Sequence, residues 1–124
     1  MAGEASHRIV VLVVEDEPIL RMNMMDLVEE AGFDAVEAAN SKQAMRVLET
    51  RSDVGIIVSD IEMPPGIDGM ALVAMVRDRW PPIEIILVSG QVSSTHVRMP
   101  EGGVFFSKPC RPAEIVATLN RMAA

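Results

Sequence analysis

A chain of 124 residues with a net charge of −7 and a pI near 4.7 has room for one domain around a single core, and without clustered Lys and Arg it lacks the basic face that binding to nucleic acid requires. One cysteine, Cys110, excludes an intrachain disulfide and suits a reducing cytoplasm. No apolar run approaches the about 18 residues of a transmembrane helix, Met1 to His7 lacks the features of a signal peptide, and with few aromatics the core is expected to be aliphatic and filled by methionines.

Along the chain, the apolar run Ile9-Val10-Val11-Leu12-Val13-Val14 predicts a first strand, ended by Glu15 and Asp16. Pro18 suits the first turn of a helix in which Leu20, Met24, Leu27, Val28 and Ala31 recur at helical spacing before Gly32 stops it. A short strand follows near Phe33–Ala38, and Asn40 or Ser41 can cap a second helix that turns Ala44, Val47 and Leu48 to the core. The run Gly55-Ile56-Ile57-Val58-Ser59 predicts a third strand that delivers Asp60 ahead of the loop-forming stretch Met63-Pro64-Pro65-Gly66-Ile67-Asp68-Gly69. Asp68 is placed to cap a third helix with Leu72, Val73, Val76 and Trp80 inward, ended by Pro81-Pro82. The fourth strand, Ile83–Val88, is apolar almost throughout, as burial on both faces demands.

Between that strand and a fifth, Val104-Phe105-Phe106, the segment Gln91–Gly103 has little apolar periodicity, and Pro100 and two glycines oppose a long helix. A single turn or an irregular loop is expected there. The last helix starts near Pro112 and buries Ile115, Val116, Leu119 and Met122. Strands alternating with helices predict βαβ units around a parallel sheet, in one domain over residues 1–124 with residues 1–7 as a flexible N-terminus.

Open α/β sheets carry their chemistry beyond the C-terminal ends of the strands, which is where Glu15, Asp16 and Asp60 fall. Three acids at one edge repel each other unless they hold a cation, and an all-oxygen site suits Mg²⁺. Lys108, before Pro109 at the end of the fifth strand, can add a positive charge, completing a pocket suited to a phosphoryl group. Other uses of these residues stay open: Asp60 as a capping aspartate, Glu15 and Asp16 as caps of the first helix, and Lys108 as a solvated surface lysine.

Glu15-Asp16 after the first strand, Asp60 after the third, Ser89-Gly90 after the fourth and Lys108-Pro109 after the fifth resemble the receiver domain of two-component response regulators, over roughly residues 8–122. The resemblance implies a doubly wound, five-stranded, flavodoxin-like (βα)5 fold, with the fourth helix short or irregular in this chain. It implies that Asp60 accepts a phosphoryl group from a sensor histidine kinase or a histidine phosphotransfer protein. It further implies that Asp16, Glu15, Asp60 and the backbone carbonyl of Glu62 hold Mg²⁺, with Glu15 acting directly or through water where many receivers carry aspartate. Lys108 should pair with Asp60 and then with a phosphoryl oxygen, aimed by a cis bond to Pro109. Ser89 should donate its hydroxyl to the phosphoryl group, and Phe105 stands where the family carries an aromatic switch residue, though a plain core phenylalanine fits as well. Phe106 should face the other side of the sheet.

Departures from the family pattern are the weak segment before the fifth strand, one extra residue in the loop after Asp60, and Arg111 at an N-cap position where its charge opposes the helix dipole. The expected activity is that of a phosphoacceptor rather than an enzyme, cytoplasmic, acting on an unknown downstream protein through protein contacts, without nucleic acid or membrane as partners. A phosphorylation-independent interaction module of the same fold is one competing reading. Another is a small phosphohydrolase with an aspartate nucleophile, suggested by Asp60-Ile61-Glu62, which wants a larger cap domain than this chain can supply.

Overall fold

The computed structural model describes residues 9–62, 68–90 and 102–124. In chain order these form β1 (Val10–Val14), α1 (Pro18–Glu30), β2 (Asp34–Ala38), α2 (Ser41–Thr50), β3 (Val54–Asp60), α3 (Gly69–Arg79), β4 (Glu84–Ser89), β5 (Val104–Ser107) and α4 (Pro112–Ala123). The five strands make one parallel sheet in the order β2-β1-β3-β4-β5, a doubly wound flavodoxin-like arrangement. The order reverses after β1, so the C-terminal ends of β1 and β3 lie side by side.

Alternation along the strands divides the core into two layers. Val10, Leu12, Val14, Ile57, Ile85 and Leu87 pack with Ala44 and Leu48 of α2 and with Leu72, Val73 and Val76 of α3. On the other face Val11, Val13, Ile56, Val58 and Ile86 pack with Val28 of α1 and with Ile115 and Leu119 of α4. Phe105 joins the first layer and Phe106 the second, as their adjacency in a strand requires. Met24, Met25, Met45, Met70 and Met122 fill gaps around these layers, whereas Met22 and Met75 stay exposed.

Helix ends follow the local chemistry. Asn40 accepts from the Gln43 N–H at 2.8 Å and Asp68 from the Ala71 N–H at 2.9 Å. At the end of α1, Gly32 has φ +99°, and the N–H groups of Gly32 and Phe33 return to the carbonyls of Glu29 and Val28 at 3.0 and 3.2 Å, a Schellman stop. The start of α1 decides against the alternative in which Glu15 or Asp16 caps it. Glu17 is the cap, accepting from Ile19 and Leu20 N–H at 3.2 and 2.8 Å.

Leu20, expected in the core, is 43% exposed. It sits in the first turn of α1 and faces an open cavity rather than the packed core. Thr118 is buried on α4, its hydroxyl donating to the Glu114 carbonyl at 2.9 Å, which lets a polar residue occupy a core-facing position. Arg111 precedes α4 without any side-chain capping bond. The expected short helix or loop at Gln91–Gly103 lies outside the described residues up to position 101, as does the extra residue of the loop at 63–67.

Candidate functional site

Parallel pairing of Val14 with Ser59 sets Glu15 and Asp60, each next in sequence, at one sheet edge. Both are buried, at 7% and 6% exposure, unusual for carboxylates without partners. Their partner comes from the residue just after β5: the Lys108 ammonium lies 3.0 Å from Asp60 Oδ2 and 3.1 Å from Glu15 Oε1. The Lys108–Pro109 peptide is cis, and the Lys108 N–H donates to the Ser89 carbonyl at 2.8 Å, fixing the base of the side chain beside β4. Asp16 is exposed, yet one of its oxygens lies with one each of Glu15 and Asp60 in a group spanning no more than 4.8 Å.

One ammonium among these carboxylates leaves the site net negative. Burial pushes the Glu15 carboxyl up to about 7; bonds from the Glu17 N–H and from Lys108 oppose this, and the charge of Asp60 adds to it. For Lys108, burial pulls down, but bonds to Asp60 and Glu15 and their charges outweigh it, holding the ammonium above its ordinary range. These shifts pull opposite ways on one ion pair. Lys108 gains two carboxylates whereas Glu15 shares a single ammonium with Asp60, so ion pairing prevails at Lys108 and desolvation prevails at Glu15. An all-oxygen, electronegative donor set of this size fits a hard divalent cation such as Mg²⁺.

Ser89 is buried at the end of β4, and its hydroxyl donates to Glu62 Oε2 at 2.7 Å. The Glu62 N–H in turn lies 3.4 Å from Asp60 Oδ1. Phe105 is partly buried against the α2 and α3 layer. Glu15, Asp16, Asp60, Glu62, Ser89 and Lys108 are therefore gathered at one edge, while Phe105 lies within the sheet beside them.

Three contributions escaped the sequence reading. Gly69 opens α3 directly against the Asp60 backbone: a Cβ there would stand 2.0 Å from the Asp60 carbonyl oxygen. A glycine immediately after a capping Asp68 was the available signal. Arg21 donates to the Glu15 carbonyl at 2.9 Å and to Glu37 at 2.8 Å, tying the end of β1 to β2. The Glu62 carboxylate, expected to contribute only its backbone, holds Ser89. A cavity of about 650 Å³ opens beside Asp60 and Lys108 between α1 and α4, with Leu20, Met24, Leu27 and Ile115 on its apolar walls.

The response regulator receiver domain profile matches residues 11–120. The chain is 32% identical over 125 residues to the sensor kinase CckA of Brucella abortus, covering 98% of this chain and 13% of that protein's length. It superposes with TM-score 0.84 on a CheY-like receiver domain protein of Methanospirillum hungatei, 18% identical, covering 94% of each chain. It superposes with TM-score 0.79 on the response regulator TrrA of Thermotoga maritima in complex with Mg²⁺ and BeF, 24% identical, covering 92% of this chain and 98% of that one. Profile, relative and superpositions agree with the acids and lysine gathered at the sheet edge: the chain belongs to the response regulator receiver domain family.

Proposed function

We propose that Asp60 accepts a phosphoryl group from a phosphohistidine of a sensor kinase or histidine phosphotransfer protein, in a reaction that needs Mg²⁺. The observation that carries this reading is the Asp60 carboxylate, buried at a sheet edge and held 3.0 Å from the Lys108 ammonium, a nucleophile whose position is fixed and whose charge is partly balanced. A carboxylate oxygen of Asp60 attacks phosphorus, the P–N bond breaks, and the imidazole leaves, giving an acyl phosphate. Lys108 then has a phosphoryl oxygen to pair with. Glu15, Asp16, Asp60 and the Glu62 carbonyl would hold the cation, whose chemistry is to offset charge on the transferring oxygens.

The donor approaches from the open side of the site, where the cavity between α1 and α4 is walled by the exposed Leu20. Output runs through contacts with a downstream protein. No helix among the described residues is long and apolar enough to cross a membrane. Incubation with a small phosphoramidate and Mg²⁺, followed by intact-mass analysis and mapping, should place one phosphoryl group on Asp60. Chelation and Asp60→Asn should each abolish it, and a label retained on the variant would sink the assignment.

A further inference from the structure

The Ser89 hydroxyl has one proton to give, and in this structure it goes to Glu62. At 2.7 Å the contact lies in the range of a charge-assisted hydrogen bond to a carboxylate. Strand register pairs Asp60 with Val88, so Ser89 stands one residue past the strand neighbour of Asp60. Glu62, two residues beyond Asp60, reaches back across that gap: its N–H is near Asp60 Oδ1 and its carboxylate is on Ser89. Ser89 is 1% exposed, while Glu62 is only half-buried and can turn its carboxylate to water.

We propose that Glu62 is a positioning residue that holds the Ser89 hydroxyl in a latch until a phosphoryl group on Asp60 replaces it as acceptor. The proposal rests on Asp60 being the phosphoacceptor. Two anions then compete for a single donor, and Ser89 can engage the phosphoryl oxygen only by breaking its bond to Glu62. The half-buried carboxylate is the partner able to leave, because water satisfies it on release. The bond therefore opposes the phosphorylated arrangement and sets how readily the Ser89 end of β4 responds.

The test is a double-variant cycle read by titration with beryllofluoride and Mg²⁺, a mimic of the phosphoryl group, using Glu62→Ala, Glu62→Gln, Ser89→Ala and the combined variants. With Ser89 present, Glu62→Ala should tighten beryllofluoride binding about tenfold, the scale of one hydrogen bond to a charged group. In the Ser89→Ala background the gain should shrink to about twofold, the residue of general charge repulsion alone. Glu62→Gln keeps an acceptor oxygen and should fall between wild type and Glu62→Ala. Equal gains with and without Ser89 would assign the effect to charge and overturn the latch. Failure of the wild type to bind beryllofluoride at all would instead remove the phosphoacceptor reading and the latch with it, so the two failures are distinct.

Discussion

Replacing Glu15 by glutamine should stabilise the cation-free protein, most strongly at neutral and alkaline pH. The folded protein holds the Glu15 proton more tightly than the unfolded chain does, with the pKa raised from 4.5 to about 7 chiefly by burial. Glu15 therefore costs nothing at pH values below the unfolded pKa; its cost grows as pH rises through this window and is complete above the folded pKa. The full displacement corresponds to at most about 3 kcal/mol. Solvent at the mouth of the site screens part of it, and an amide keeps one acceptor oxygen where the carboxylate now receives bonds from both Glu17 and Lys108, so about 1–2 kcal/mol is expected. For a domain of this size that is a rise of about 4–8 °C in Tm near pH 8, falling by at least half near pH 5. Thermal unfolding of both proteins in chelator across this range measures it. A destabilised variant at alkaline pH, or a gain that does not change with pH, would refute the argument that desolvation outweighs Lys108 at this carboxylate.

Gly69→Ala should cost about 3 kcal/mol or more and displace Asp60, since the added methyl meets backbone rather than a movable side chain; urea unfolding with phosphoryl labelling measures both. Lys108→Met removes the shared ammonium of two buried carboxylates and should lower stability by about 2 kcal/mol near pH 8, less near pH 6, where Glu15 takes up a proton. Asp16→Asn, at an exposed position, should change cation-free stability by under about 0.5 kcal/mol yet weaken Mg²⁺ binding in a calorimetric titration; an unchanged titration would place Asp16 outside the metal site.

Strands β1, β3 and β4 were legible because each is an apolar run of strand length buried almost throughout, whereas the edge strands β2 and β5 are only partly buried and carry a weaker pattern. The helices were legible where caps and stops are local: Asn40, Asp68 and Gly32 act within a few residues of themselves. Leu20 departs from that pattern because helical periodicity assigns a face without saying whether a given turn meets the packed core or an open cavity. The placement of Asp60, Glu15, Asp16 and Lys108 at one edge was also readable, since each directly follows a strand of a parallel sheet.

What the chain alone determined is thus the order of its strands and helices and which residues stand at the strand ends, properties set by local periodicity and by neighbours a few positions away. Only the tertiary structure decided which acid is buried, whom Lys108 bridges and what holds Ser89. Those contacts join residues as far as 93 positions apart, and their outcome turns on desolvation and on ångström-scale reach. Glu15 rather than Asp16 is enclosed, its N–H still bonded to the Ala38 carbonyl of β2, and Gly69 is required because α3 begins against the backbone of Asp60. Such consequences arise from close packing in three dimensions, which residue spacing along a chain does not encode.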